Sequence, residues 1–111
     1  MNVTRFDKER AEPGHNGTIL AMDVLPPGVK APFQHAWGHL EAGHEMEGHS
    51  HPTDEIYFFH QGSGTVIVGD EERPVSPGLV VEIPSGAWHT VRNDSDGELL
   101  WFALWWKPVA E

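Results

Sequence analysis

Three histidines and one glutamate are spaced so that they could bind a single metal ion. His49 and His51 are separated by one residue, Glu55 follows shortly after, and His89 comes from a distant segment. Imidazole and carboxylate groups suit borderline divalent ions, so this set indicates Fe, Mn, Ni, Zn or Cu. The chain has no cysteine, which excludes thiolate ligands, cysteine nucleophiles and disulfides. The sequence therefore predicts a site for one divalent transition metal.

Alternation along a β-strand explains how these ligands could reach one ion. Residues i and i+2 project from the same face of a strand, so His49 and His51 point in the same direction. Pro52 interrupts this segment, and Glu55 can approach the ion from the next strand. His89 then adds a ligand from elsewhere in the fold. On an ion that prefers six ligands, two positions stay open for water, dioxygen or a chelating substrate.

The positions of turn residues predict an all-β domain. The chain has 12 Gly and 9 Pro, and the short runs between them are rich in Val, Ile, Phe, Tyr and Trp, as in a sandwich or barrel. The predicted strands are Thr18–Leu25, Phe33–Leu40, His49–His51, Glu55–His60, Gly64–Val68, Leu79–Ile83, His89–Arg92 and Leu99–Trp106. Such a set favours a jelly roll or a similar closed barrel whose mouth holds one small ligand. We expect residues 1–16 to form a loosely held arm and residues 17–111 a single barrel domain.

The composition limits the class of protein to which the chain belongs. Its 111 residues are 39% hydrophobic and 22% charged, which suits one globular domain. A formal charge of −10 excludes a general binder of nucleic acid or anionic membranes, because phosphate contacts need Lys and Arg. No run approaches the roughly 18 apolar residues of a membrane span, and the polar N-terminal segment lacks the apolar region of a signal peptide. We expect a cytoplasmic protein that binds neither nucleic acid nor membranes.

Two complete motifs make the chain resemble a small single-domain cupin of the conserved-barrel type. The first motif, G(x5)HxH(x3–4)E(x6)G, is matched by Gly43, His49, His51, Glu55 and Gly62. The second, G(x5)PxG(x2)H(x3)N, is matched by Gly78, Pro84, Gly86, His89 and Asn93. The resemblance implies the cupin double-stranded β-helix, or jelly-roll barrel, with metal on the three motif histidines and Glu55. It implies no particular reaction, because one fold supports many activities.

The strand that begins at Glu55, within the first motif, predicts one wall of the ligand cavity. Counting in twos from Glu55 places Tyr57, Phe59 and Gln61 on the inward face. The Tyr57 hydroxyl could orient a substrate or carry a proton. The alternative for Tyr57 is a packed core residue whose hydroxyl bonds to the backbone.

Two further strands are harder to orient. The last strand is apolar on both faces, and the resemblance to other small cupins implies that Trp101, Ala103 and Trp105 line the pocket. In the strand from Phe33, either Gln34, Ala36, Gly38 and Leu40 face inward, or His35, Trp37 and His39 do. We favour the first set, because small residues leave room for a ligand. The second set would then lie on the outer face, where apolar strands favour a homodimer.

The remaining histidines and charged residues are expected to play no part in the chemistry. His15, His35, His39, His44 and His60 are expected to be surface or satisfied core residues. Glu45 and Glu47 could manage protons, although solvated loop positions are the simpler interpretation. Arg92 lies at an odd spacing from His89, which predicts that it faces away from the pocket. Sugar phosphates are therefore disfavoured as substrates.

Three functions remain open at this point. The favoured one is a metal-dependent enzyme that cleaves a small chelating enolate, catechol or diketone as a dioxygenase, because the ligand set resembles that of dioxygenase cupins. A second is an isomerase, decarboxylase or lyase that uses the ion as a Lewis acid. The third is a barrel that binds a small ligand without turning it over.

Overall fold

The computed structural model describes residues 1–110 and contains two antiparallel sheets. Its strands are β1 (Glu12–Gly14), β2 (Ile19–Met22), β3 (Gln34–Leu40), β4 (Asp54–Gln61), β5 (Gly64–Val68), β6 (Glu71–Val75), β7 (Val80–Ile83), β8 (His89–Arg92) and β9 (Leu99–Trp106). The six-stranded sheet has the order β1-β2-β3-β9-β4-β7, and the three-stranded sheet has the order β6-β5-β8. The predicted all-β class is confirmed. Within residues 1–110, no helix is long and apolar enough to cross a membrane.

The hydrophobic core combines side chains from both sheets. Leu40, Tyr57, Phe59 and Trp101 come from the larger sheet, and Val66 and Val91 come from the smaller one. Along β4, buried residues alternate with partly exposed ones from Asp54 to Phe59, which is the period that a strand with one face in the core requires.

Most of the predicted strands are present, and the exceptions have physical causes. The segments Gly64–Val68, His89–Arg92 and Leu99–Trp106 agree with β5, β8 and β9. The predicted strand at His49–His51 is reduced to an isolated bridge between His49 and His89. Strand β6 was not expected, because its sequence EERPV is charged. It forms at the edge of the smaller sheet, where an apolar alternation is not needed.

The N-terminal segment, which we expected to be a loosely held arm, is instead packed on the larger sheet. Strand β1 pairs with β2. The Phe6 ring stacks on the His39 ring with centroids 5.6 Å apart and meets the Trp37 ring at 6.0 Å. Lys8 forms ion pairs with Glu41 and Glu98. Local composition does not reveal the contacts of Phe6 and Lys8, because they join residues distant in sequence.

The inward face of β4 ends earlier than the alternation predicted. The register between β4 and β9 shifts between Phe59 and Gln61, so the prediction that Gln61 faces inward is wrong, and its side chain is exposed. A bulge of this kind changes the face on which the following residues lie. Gly62 follows with φ of 88°, and a Cβ there would lie 2.1 Å from the Glu98 carbonyl oxygen, so the turn requires glycine.

Strand β3 is oriented as in the favoured alternative. Ala36 and Gly38 line the interior cavity, and Leu40 is buried in the core. Gln34, at the start of the strand, is exposed. Trp37 lies on the outer face and meets the Phe102 ring of β9 at 5.2 Å. The homodimer that we expected on this face stays a prediction.

Asn93 holds together the segments that surround the second motif. Its side chain is fully buried and donates hydrogen bonds to the carbonyl oxygens of Leu40 at 3.0 Å and Gly97 at 2.8 Å. Its Oδ1 accepts from the Ser95 amide and hydroxyl groups. Its backbone bonds with Gly43 and His44. The last residue of the second motif is therefore a structural anchor for the loop that leads to the first.

We expect Asn93→Ala to destabilise the protein by about 1–3 kcal/mol, because it removes the buried side-chain donor to the Leu40 carbonyl group and the acceptor for Ser95. Urea unfolding monitored by Trp fluorescence measures this change. Asn2→Ala is the matched control, because Asn2 is exposed and makes one side-chain bond, to the Pro27 carbonyl group. If both variants unfold at the same urea concentration, Asn93 is not an anchor.

Candidate metal centre and its cavity

Two backbone hydrogen bonds bring the motifs together. The His49 amide donates to the His89 carbonyl group at 3.1 Å, and the His89 amide donates to the His49 carbonyl group at 2.8 Å. His49 and His51 lie in the loop between β3 and β4, Glu55 lies on β4, and His89 begins β8. Backbone hydrogen bonds alone therefore hold the first-motif histidines next to the second motif.

The loop that carries His49 is held on β8 by three further contacts. The Met46 amide donates to the Val91 carbonyl group at 2.9 Å, and the Thr90 hydroxyl donates to the Met46 carbonyl group. The Trp88 ring packs on the backbone at Gly48, where a Cβ would lie 2.0 Å from it. The residues that precede the two ligands His49 and His89 are thus packed against each other.

All three histidines direct Nδ1 toward a nearby oxygen atom of the backbone. His49 Nδ1 lies 2.9 Å from the Glu47 carbonyl oxygen, and His89 Nδ1 lies 2.9 Å from that of Ala87. His51 Nδ1 lies 3.2 Å from the Thr53 carbonyl oxygen and 2.8 Å from its hydroxyl oxygen. A carbonyl oxygen only accepts, so Nδ1 of His49 and His89 carries a proton, and in the neutral imidazole Nε2 then keeps a free lone pair. This is the tautomer in which Nε2 binds a metal.

The three rings converge on one volume. The His89 ring centroid lies 4.3 Å from that of His49 and 4.9 Å from that of His51. One ring nitrogen of each lies within 4.8 Å of the others, so the three form a group that could hold a metal ion. Glu55 Oε1 lies 2.9 Å from His51 Nε2 and 3.3 Å from His89 Nε2. The predicted ligands are therefore brought together.

The chemistry of these donors fits a cation. His89 Nε2 is buried and has no hydrogen-bond partner among the described residues, a state that costs about 1–3 kcal/mol. With its proton on Nδ1, His89 directs a lone pair at the carboxylate of Glu55, itself only 6% exposed. Two acceptors face each other only when a proton or a metal ion lies between them. Burial lowers the pKa of His49, which favours the neutral form that binds metal.

A cavity of about 370 Å³ extends from His49, His51 and Glu55 into the barrel. Its apolar walls come from β2, β3, β4, β9 and the loop before β4, and they comprise Ile19, Ala21, Ala36, Gly38, Met46, Tyr57, Trp101, Ala103 and Trp105. A Cβ at Gly38 would lie 2.5 Å from the Trp101 ring, so the glycine admits this indole. No lysine or arginine is among the described residues that line the cavity.

The predicted pocket residues divide into three groups. Tyr57, Trp101, Ala103 and Trp105 line the cavity. Phe59 faces inward, as the alternation predicted, and is buried. Its ring centroid lies 6.1 Å from those of Tyr57 and Trp101, and the residue does not line the cavity. Gln61 lies outside because of the bulge. Whether the lining residues bind a substrate stays a prediction.

The Tyr57 hydroxyl lies in a buried environment that keeps it protonated. Tyr57 is almost completely buried, and this burial, together with the negative charge of Glu55, raises its pKa well above the ordinary value. The group therefore stays protonated near neutral pH and can donate a hydrogen bond to an oxygen atom inside the cavity.

Three charged residues that we considered in the sequence lie outside the cavity. Glu45 and Glu47 are exposed and do not line it. Arg92 pairs with Glu72 and Asp94, so it is directed away from the ligands, as its spacing predicted.

His15 is a cavity residue that the sequence analysis missed. Its side chain is exposed, as expected for a surface histidine. Its ring nevertheless packs against that of His49, with centroids 4.1 Å apart, and it lines the cavity. No motif or spacing signals this contact, because it depends on how the hairpin of β1 and β2 lies on the barrel.

The chain is similar to known proteins in sequence and in fold. The chain is similar to an uncharacterized protein of Streptomyces coelicolor, with 35% identity over 57 residues, and it spans about half (54%) of that curated relative's length. A cupin 2 conserved barrel domain protein of Salinispora arenicola has a TM-score of 0.84 and 29% identity, with 96% of this chain and 89% of that chain covered. A protein of Photorhabdus luminescens has a TM-score of 0.83 and 26% identity, with the same coverage of both chains.

A solved structure with lower sequence identity also shares the fold. A predicted oxalate decarboxylase of Thermotoga maritima has a TM-score of 0.72 and 22% identity, and 81% of each chain is covered. The family model described as the cupin domain matches residues 36–106, which include all four candidate ligands. The chain therefore belongs to the cupin family.

Proposed function

We propose that this cupin is a metal-dependent enzyme acting on a small organic molecule bound inside the barrel. One divalent transition metal would be held by His49, His51, Glu55 and His89. The observation that carries the proposal is His89 Nε2, which is buried without a hydrogen-bond partner beside the Glu55 carboxylate. Glu55 itself lines a mainly apolar cavity. A metal ion would satisfy both groups at once.

The cavity walls support an uncharged or singly anionic substrate with an apolar body. A cavity of about 150 Å³ holds benzene, so about 370 Å³ accommodates one substituted ring or a branched chain of similar size. Because no lysine or arginine lines the cavity, phosphate or multiple carboxylate groups would lie there without a partner. A dication bound to one carboxylate keeps a single positive charge. An enolate, catecholate or diketonate matches that charge.

Oxygenative cleavage of such a molecule is the reaction that we favour. A redox-active ion would supply the positive charge and the electron transfer that oxygen chemistry needs. Trp101 and Trp105 would hold the apolar body, and their bulk would exclude water from the reacting end. Tyr57 would donate a hydrogen bond to an oxygen atom of the substrate, because burial keeps its hydroxyl protonated.

Metal analysis of protein purified without chelators or an affinity tag that binds metal tests the proposal. Near-stoichiometric Fe, Mn, Ni or Cu, followed by oxygen consumption with catechols or 1,3-diketones, supports the dioxygenase. Stoichiometric Zn with turnover in the absence of oxygen indicates Lewis-acid chemistry instead. A site that stays empty during titration with all five metals overturns the enzyme and leaves a ligand-binding barrel.

We expect His89→Ala to weaken metal binding by more than the roughly 10- to 100-fold that loss of an outer partner costs. The variant should also lose the metal-dependent rise in melting temperature that binding to the folded state produces. Elemental analysis and thermal unfolding, with and without metal, measure both effects. His44→Ala is the control, because His44 is exposed and its side chain is outside the ligand group. Equal metal content in the two variants would contradict the assignment.

Acidification should weaken metal binding, because each imidazole must be neutral to act as a ligand. Burial lowers the pKa of His49, so its protonation requires a pH below the ordinary imidazole value of about 6.5. We therefore expect affinity to change little above about pH 7 and to fall steeply below about pH 6. Competition with a chromophoric chelator at a series of pH values measures this. Constant affinity down to about pH 5 would mean that histidines are not the ligands.

Trp105→Ala should weaken binding of a catechol probe such as 4-nitrocatechol by roughly 10-fold, because it removes an aromatic wall of the cavity. Metal content should stay near that of the wild type. Trp106→Ala is a matched control, since this neighbour does not line the cavity. Absorbance titration of the metal-loaded variants gives both dissociation constants. If Trp105→Ala loses its metal, the residue supports the ligands rather than the substrate.

A further inference from the structure

The hairpin between β1 and β2 has a strained tip beside the metal centre. His15, Asn16 and Gly17 have φ values of 48°, 59° and 78°. Glycine adopts this left-handed region freely, whereas each of the other two residues pays roughly 1 kcal/mol or more for it. Consecutive non-glycine residues in this conformation persist only where surrounding contacts hold them.

Those contacts attach the tip to the loop that carries His49. The Asn16 amide nitrogen Nδ2 lies 2.9 Å from both carboxylate oxygens of Glu47. The Thr18 hydroxyl accepts from the Glu47 amide at 2.9 Å and donates to the His15 carbonyl group at 2.7 Å. The Glu47 carbonyl group in turn accepts from His49 Nδ1. One residue, Glu47, thus positions both the hairpin tip and a metal ligand.

The result of this arrangement is an additional imidazole at the cavity. The His15 ring lies 4.1 Å from the His49 ring, with an angle of 30° between their planes, and it lines the cavity while remaining exposed. It is outside the group of three histidines whose nitrogens converge. His15 therefore occupies the cavity's solvent-facing side, next to the ligands without being one of them.

We propose that His15 contacts the substrate, by a hydrogen bond to an oxygen atom of the chelating group held at the metal. This rests on the proposed function and extends it to substrate selection. Apart from the candidate ligands His49, His51 and Glu55, the described lining residues offer few polar side chains, namely His15, Thr53, Tyr57 and the tryptophan indoles. Thr53 is already engaged with His51. His15 and Tyr57 would therefore approach an oxygenated substrate from the exposed and the buried side, respectively.

Absorbance titration of the metal-loaded protein with 4-nitrocatechol tests this inference. We expect His15→Ala to raise the dissociation constant of the probe roughly 10-fold, the effect of losing one hydrogen bond to a charged group, while metal content stays that of the wild type. His15→Gln, which can still hydrogen-bond, should recover part of the affinity. Asn16→Ala keeps the imidazole but frees the tip, and it should give an intermediate loss.

The controls separate a failure of this inference from a failure of the proposed function. His60→Ala removes an exposed histidine outside the cavity and should bind the probe as the wild type does. Wild-type affinity in His15→Ala would overturn the role of His15 and leave the enzyme proposal intact. A uniform loss in both His15→Ala and His15→Gln, with lower melting temperatures, would show a structural role and also overturn it. A wild-type protein that takes up no metal, or takes it up and ignores the probe, overturns the proposed site or its substrate class and the inference with it.

Discussion

The reciprocal backbone hydrogen bonds between His49 and His89 are the constraint on which the site depends. They connect the loop before β4, which carries two candidate ligands, to the start of β8, which carries another. Because the smaller sheet contains β8 and the larger sheet contains β4, the pairing also joins the sheets at the mouth of the cavity. Displacement of this bridge would move the imidazoles apart and open the barrel at the same place.

The side chains around that bridge are arranged at a cost that an ion would offset. The buried His89 imidazole and Glu55 carboxylate have lost their hydration, and each Nδ1 hydrogen bond to a backbone carbonyl group favours the neutral tautomer that leaves Nε2 without a proton. A fold that is organised for stability alone would replace these groups with apolar ones. A cation bound between these side chains would compensate for their lost solvation.

Sequence reasoning found three of the candidate ligands and one wall of the cavity because these follow short-range rules, whereas His89 lies in a distant segment and was identified through the second motif. The spacing of His49, His51 and Glu55 within one loop and strand places them together, and alternation correctly put Tyr57 inside. The same rule failed at Gln61, since a bulge is a local change of register that residue types do not announce.

Two contacts that the sequence did not predict are long-range packing contacts. The docking of Phe6 on His39 and the approach of His15 to His49 each join segments that are far apart in the chain. No sequence motif predicts either contact. The edge strand β6 was missed for a different reason, because pairing on one side of a strand tolerates a charged sequence.

The hairpin of β1 and β2 lies before residue 36, where the match to the cupin domain begins. The matched region therefore holds the candidate ligands, whereas the hairpin before it forms one side of the cavity. Changes in the length or composition of this hairpin would reshape the entrance while leaving the identity of the ligand residues unchanged. One barrel could in this way vary the molecules that it accepts with a single set of metal-binding side chains.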